Sequence, residues 1–494
     1  RNRDGCGNYW DDPAVYPENP ILGDVEYSGG HQEMWRWQSL RDYVFPDILM
    51  TRVTYPRKTV ISGVEWNVPG HEPCSTAIYQ YDNTATGISE FEFRFDRSDD
   101  DTSRVAELSL LDGLPMGKNY DTKADAILGV AFMQAGRDQG LWDAWVVPAH
   151  IERAWTYYIE DFRNWNNAGP EVCFGFEGAP GHQTSSDRGF SRYSLGGQDY
   201  GEPYGGCYGG SGYYSAKVGG LWDALLGEGR NWWNFASSDY HRHWSKGGSD
   251  FWPGEYQKNY TYVLKTPDRL QAVFDGVRSG NSWHVQGDLI DKLEFTARVK
   301  SDVAMMGQTL QVKPGEKVTI EIMVRDPKWP NFCPLDMDNP SLAQLGISVP
   351  LNMPVLDHID VIAGDVTGYV PENEPDYTKP ETPTAAVVKT LDAKKSEGGV
   401  MKFKFTITAE KDQYFRLRGT NLPPGVPNET DEDGNPLADY LANDNIYEAL
   451  GGDYFAGFLF NGVEITTTSK VDDVAEAYAD LWFYSNPIFI DVVE

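Results

Sequence analysis

Long apolar runs are missing from this 494-residue chain. No stretch of 18 apolar residues occurs, which excludes a helical membrane span. Positive charge is scarce: 42 Lys and Arg stand against 74 Asp and Glu, a formal charge of −32. That balance excludes nucleic-acid binding through a general basic surface. Cysteine is rare, and the five present are widely spaced. They form neither a CxxC zinc pattern nor a dense disulfide framework, although one bridge is compatible with them. Histidine is rarer than chance placement would waste, at eight residues, so where the histidines fall is informative. No internal repeat is found. The first residues do not read as a signal peptide. The opening at Arg1 is read as a mature form, or as a chain whose first part is missing.

Aromatics, glycine and proline are abundant: 13% aromatic with 16 Trp, 50 Gly and 30 Pro. This is the composition of a loop-rich globular protein of two or three domains. Residues 1–30 are polar, Pro-rich and irregular. From 31 to about 287 strand-like and helix-like segments alternate. Helices are expected over 31–45, ended by Pro46, over 122–139, capped by Asp121, and over 153–167, 221–228 and 267–280. Buried strands are expected over 58–66, 142–148 and 171–176 and in the aromatic run from 231, with a short strand or loop at 91–94. The stretch 196–220, rich in Gly and Tyr, reads as a long active-site loop or equally as a plain flexible excursion. This order predicts an α/β domain with a parallel sheet or barrel. After 288 the pattern becomes alternating apolar and polar, at 293–299, 317–324 and 402–408, which predicts an antiparallel β-sandwich. Short helical pieces are expected at 437–442 and 472–478. The expected domains are therefore 1–30, an irregular segment; 31–290, the α/β domain; and 291–494, the sandwich.

Chemistry concentrates where predicted strands end. The run NWWNFASSDYHRHW (231–244) leaves a buried strand and presents Asp239, His241 and His243 at alternate positions. An Asp and a His two apart at a strand mouth can turn toward one point, and an oxygen paired with an imidazole suits Zn, Mn or Fe. Glu65 and His150 also end predicted strands, as does Glu177, and His71 and His182 follow shortly after two of them. In a parallel barrel such ends share one face. Each residue alone has a plainer explanation, as a helix cap or a core histidine. Five together at matching positions, Glu65, His71, His150, Asp239 and His241, predict a metal cluster, with Glu177 and His182 as reserve candidates.

These segments, ISGVEW and PGHE, VVPAHIER, ASSDYH and FDGVRSGNSWHVQGD, resemble the PHP (polymerase and histidinol phosphatase) metal-dependent hydrolases over roughly 35–290. The ending DLWFYSNPIFI resembles the β-sandwich attached in larger, exported members. The resemblance implies a distorted barrel of seven strand–helix units with two or three metal ions at the strand ends. Glu65 would bridge metals, His71 and His150 would be the next ligands, and Asp239 and His241 the closing pair. Ile151 stands where the family often has Pro. The family's opening H-x-H pair and its second Asp/Glu-His pair are missing. The expectation is thus a barrel short of its first one or two strands, through truncation, completion by another chain, or degeneration.

The implied reaction is hydrolysis of a small phosphoester by a metal-activated hydroxide. Asp239 would take a proton from the nucleophile, His243 would bind phosphate or protonate the leaving group, and Arg153 would bind phosphate. The tryptophans Trp35, Trp66, Trp155, Trp232, Trp233 and Trp244 would form an aromatic rim for an apolar leaving group, or simply core. Two alternatives remain. The same metals could cleave a carbamate, amide or carboxylic ester, or the chain could be a degenerate scaffold or binding protein. An exported, bacterial-type address is expected from the acidic composition and the resemblance.

Overall fold

The computed structural model describes residues 2–109, 111, 114, 117–153, 156–185, 188, 207–327, 354–393, 399–427, 429–439, 459–460, 463–464 and 477–493. Trp155, residues 196–206 of the expected loop and the greater part of the two short C-terminal helices expected from sequence lie outside those residues. The chain divides into two compact units that interleave in sequence. The first is Arg1–Pro148, Asp161–Phe174 and Val263–Arg278; the second is Ala149–Glu160, Gly175–Tyr262 and Ser279–Glu494. No helix among the described residues is long and apolar enough to cross a membrane.

The first unit is built on three strands, β1 (Ser62–Trp66), β2 (Cys74–Gln80) and β3 (Trp142–Pro148). Both pairings are antiparallel, not parallel as the alternating pattern predicts. For β1 and β2 the reason is chain length. Only seven residues, 67–73, join them, and a parallel crossover needs about a dozen or more. β2 itself, CSTAIYQ, carries too many small polar residues to stand out as a strand.

Helix α1 (Arg36–Ser39) continues through a π-helical turn, Leu40–Val44, into α2 (Phe45–Thr54). Pro46 therefore does not end the helix. It falls in the first turn of α2, just after the π turn, where the ladder is already irregular and can do without its N–H. The segment FEFRF, which alternates like a strand, lies in helix α3 (Thr86–Phe95). All residues from Gly87 to Phe95 are buried, so apolar and charged positions are both inside and the alternation carries no surface signal. Glu92 is satisfied by Arg36, and Glu90 and Arg94 pair at 3.4 Å. Helix α4 (Lys123–Asp138) begins in a capping box, Thr122 with Asp125, so Thr122 and not Asp121 is the cap. Helix α5 (Ile159–Ala168) starts six residues later than expected. The helix Arg269–Arg278 is capped by Asp268, which accepts the Gln271 amide at 3.0 Å.

The core of this unit is aromatic: Trp66, Phe91, Phe95, Phe132 and Trp142 are linked ring to ring at 4.9–5.6 Å. Gly136 of α4 lies against Trp142, where an added Cβ would come within 1.9 Å of the indole. Trp35 and Trp66 here, and Trp232, Trp233 and Trp244 of the second unit, are at most 4% exposed, so the described tryptophans of the expected rim serve as core.

The second unit holds a two-stranded parallel sheet, β4 (Gly175–Ala179) with β5 (Trp233–Ala236), with helix α6 (Leu221–Gly227) before β5. Most of the other described strands form two large, mainly antiparallel arrays. An eight-stranded sheet contains β6 (Gln257–Thr261), β7 (Ser282–Gln286), β10 (Thr309–Val312), β12 (His358–Asp365), β13 (Ala386–Asp392), β15 (Gln413–Thr420), β16 (Trp482–Ser485) and β17 (Ile488–Val492). Its main path runs β6-β7-β16-β15-β12-β13; β17 joins β15, and β10 joins β17 in parallel. A four-stranded sheet runs β9 (Asp302–Met305), β8 (Lys292–Val299), β11 (Lys317–Asp326), β14 (Gly399–Thr408). Phe295 and Ile320 of the smaller sheet share one hydrophobic core with Ile359, Leu417, Phe483 and Ile488 of the larger. The chain is thus mixed α/β with several antiparallel sheets, and among the described residues no sheet closes into a barrel.

The middle strands of the larger sheet are buried on the other face as well, and that face is polar. One register row reads Asn259, His284, Tyr484, Arg418, Asp360, Thr390 across six strands. Arg418 pairs with Asp360 at 3.0 Å, and Arg416 makes two 2.7 Å bonds to Asp223 of α6. The side chains of Arg416 and Asp223 are fully buried. Removing one partner strands the other charge. Asp223→Ala is therefore expected to cost about 3–5 kcal/mol in urea unfolding, whereas substitution of the exposed Lys402 on β14 changes the midpoint little.

Candidate metal centre

Parallel pairing brings the ends of β4 and β5 side by side, because parallel strands deliver their C-terminal ends to one edge. His182 lies three residues past β4, and Asp239 three past β5. Gly181 makes the approach possible. A Cβ there would stand 2.3 Å from the Asp239 Cβ and 2.5 Å from the Ser238 carbonyl oxygen. The His182 Nε2 reaches the Asp239 Oδ2 at 2.7 Å. The His150 Nε2 is 3.5 Å from the same oxygen, and the Arg153 Nη1 is 4.0 Å from it. His241 Nδ1 lies 3.6 Å from the other oxygen, Oδ1, and its ring centre is 5.3 Å from that of His182.

Asp250 completes the group and was not legible in the sequence. It is 1% exposed. Its Oδ1 is 2.5 Å from the His182 Nδ1, and its Oδ2 accepts the backbone amides of His241 and Arg242. His182, His241 and Asp250 each offer a ligand atom, all within 4.8 Å of one another. With both oxygens of Asp250 already engaged, its geometry is that of a carboxylate that orients a ligand. It fixes His182 by Nδ1 and leaves Nε2 facing Asp239. A lone Asp nine residues beyond the Asp-x-His motif has no sequence pattern to mark it.

Backbone strain gathers at the same place. His150, His182 and Asp239 have φ of 33°, 56° and 41°. Non-glycine residues rarely adopt such angles, and each costs of order 1–3 kcal/mol. Only seven non-glycine residues with positive φ occur among those described, and three of them surround one carboxylate.

Glu65 and His71 belong to the first unit. Glu65 is part of β1, opposite Ser75. His71 is buried with its Nε2 3.7 Å from Asp161, which Lys123 also contacts at 2.7 Å. Glu177 is buried in β4. His243 bonds Glu255 through Nε2 at 3.0 Å and stacks on Trp252, which gives it a structural task.

Burial works to raise the Asp239 pKa, but the His182 hydrogen bond and the nearby His182, His150 and His241 rings hold it down, at about 2. His182 is raised above its ordinary 6.5, chiefly by the bond to Asp239, against burial and with help from Asp250. For Asp239 the folded value lies below the ordinary 3.8, so its contribution to stability is present above that pH and lost as pH falls through about 2. For His182 the sign is opposite: the contribution is full below 6.5 and disappears as pH rises through the elevated folded value.

Compared with protein-family models, with curated proteins and with solved structures, the chain finds no match in any of the three. The resemblance to the PHP hydrolases accordingly rests on the motifs themselves.

Two outcomes are expected of metal-free protein. In an NMR titration the His182 imidazole should titrate above 6.5 and shift back toward it in Asp239→Asn. Gly181→Ala should separate β4 from the Asp239 turn, lower stability by about 1–3 kcal/mol and abolish the His182 shift, read by the same titration.

Proposed function

We propose that the chain is a metal-dependent hydrolase, and that its substrate is a phosphoester. The observation that carries this reading is the convergence of three imidazoles on one carboxylate, in a backbone strained at three of those four residues. Strain of that kind persists only where surrounding structure over-determines it, and it concentrates at functional sites.

The residues fit a divalent cation. His150, His182, His241 and Asp239 are a mixed nitrogen and oxygen donor set of the kind Zn, Mn and Fe accept. The Asp250 carboxylate on the Nδ1 of His182 is the outer partner that fixes a ligating tautomer. When bound, such an ion supplies an activated water and offsets charge on the substrate.

The chain's own groups supply the rest. Asp239 stays ionised throughout the physiological range, so it holds a cation without competition from protons. The Arg153 guanidinium, 4.0 Å from Asp239 and partly exposed, would donate hydrogen bonds to the non-bridging oxygens of a phosphoryl group. This positive group is what favours phosphorus over a neutral amide or ester as the target. His243 is not given a catalytic role, since its Nε2 is committed to Glu255. The parallel β4–β5 pair, with a donor past each strand, is the portion of the fold in keeping with the expected barrel.

Metal content by mass spectrometry, on protein purified without chelator, tests the proposal. At least one Zn, Mn or Fe per chain is expected, lost in Asp239→Asn, with release of phosphate from an aryl phosphate reduced about 100-fold or more in that variant. A chain without metal, or one that keeps its metal in Asp239→Asn, overturns the hydrolase reading. Cleavage of aryl esters or amides without phosphate release moves the target from phosphorus to carbon.

A further inference from the structure

A second site is marked by charge that the rest of the molecule does not share. Acidic residues outnumber basic ones throughout this chain, and its arginines are widely engaged by carboxylates, as in Arg36 with Asp96, Arg278 with Asp143 and Arg416 with Asp223. A groove of about 580 Å³ in the first unit departs from that rule. Arg52, Lys58 and Arg269 line it, between apolar walls that include Val60 and Leu270.

The three cations are held in different ways. Arg269 is a brace: it donates to the carbonyls of Pro56 and Arg57 and to the Thr59 hydroxyl, at 3.0–3.4 Å, and so fixes the loop that carries Lys58. Arg52 spends its Nε on the Val60 carbonyl at 2.9 Å, which leaves the guanidinium fork at the groove. Among the described residues neither Arg52 nor Lys58 has an ion-pair partner. The single carboxylate in the lining, Asp268, is already occupied: one oxygen accepts the Gln271 amide and the other the Tyr79 hydroxyl. Burial lowers the Arg52 pKa, and the Tyr79 hydroxyl is the group that offsets it, so no carboxylate compensates this half-buried cation.

A guanidinium fork and an ammonium over apolar walls form a receptor for an oxyanion attached to an apolar body. We propose that the groove bounded by Arg52, Lys58 and Arg269 binds such a ligand, a phosphonate- or carboxylate-bearing small molecule with a hydrophobic or aromatic portion. Arg52 and Lys58 hold the anionic head, Val60 and Leu270 receive the body, and Arg269 acts as a positioning residue through the 56–59 loop. This site does not depend on the metal-centre reading, and none of its residues belongs to that centre.

The test uses the full chain in isothermal titration with two probes, phenylphosphonate and phenylacetate. They share the body and differ in the head, and neither offers a phosphoester bond to cleave. At least one should bind with a dissociation constant below 10 mM, on the order of a weak surface site. Affinity should fall with added salt and drop about tenfold in Lys58→Glu. Asp239→Asn should leave it unchanged. Tighter phenylphosphonate assigns the head to a phosphate-like dianion, and tighter phenylacetate to a carboxylate. Arg52→Ala should weaken binding similarly. It also removes the bond to Val60, so Lys58→Glu, at an exposed side chain without an ion pair among the described residues, decides if that variant fails to fold. No binding of either probe, equal affinity in Lys58→Glu, or loss in Asp239→Asn alone overturns the proposal.

Discussion

A sheet buried on both faces has to satisfy its polar side chains within the protein, and the second unit is arranged around that requirement. One face of the eight-stranded sheet is apolar and shares a core with the four-stranded sheet. The other carries Arg416, Arg418, Asp360 and His284, which cannot reach bulk water. α6 contributes Asp223 to Arg416, and Asp480, two residues before Trp482 of β16, receives Arg188. Desolvation makes each unmatched charge costly, so these partners fix the register of strands drawn from residues 257 to 492. Rows such as His284, Tyr484, Arg418 and Asp360 are a specificity device as much as a source of stability, since a one-residue slip would turn every one of them into the apolar core.

The metal-centre candidate follows the same logic at smaller scale. His182 stands between two carboxylates, Asp239 and Asp250, and each engages a different ring nitrogen. Asp250 also ties down the amides of His241 and Arg242, so a single buried carboxylate sets both the ring orientation and the loop path. Left-handed backbone at His150, His182 and Asp239 is tolerable because those bonds hold it. The basic groove of the first unit is the opposite case. Among the described residues Arg52 and Lys58 there have no carboxylate partner, and an external oxyanion is the group that would complete them.

Local pattern read well where one signal dominated. The strand WDAWVVP, the helix Leu221–Gly227 and the capped helix Arg269–Arg278 are continuous apolar runs or amphipathic periods with clear stops, and they form as expected. Alternation misled at FEFRF, since a helix buried all round conceals its charged residues as completely as its apolar ones. Proline misled at position 46, since a π-helical turn precedes it. Strand order misled most. Alternating strands and helices favour parallel pairing, but the short 67–73 connection forces β1 and β2 antiparallel, and β7, in the FDGVRSGNSWHVQGD segment of the expected α/β domain, pairs with β16 from the end of the chain.

The sequence by itself determined where the candidate ligands fall. Glu65, His71, His150, Asp239 and His241, with Glu177 and His182 in reserve, stand out because they end or follow predicted buried strands. It also determined the acidic character and the change to antiparallel strands after residue 288. Tertiary structure decided which of those residues meet. It joined His182 to Asp239 through parallel pairing and the bare backbone of Gly181, recruited Asp250 from an unremarkable loop, and withdrew His243 to Glu255. The reason is physical: strand ends can be read from local hydrophobic pattern, whereas the partner of each strand is chosen by long-range burial, chain reach and charge compensation, none of which leaves a periodic trace in the sequence.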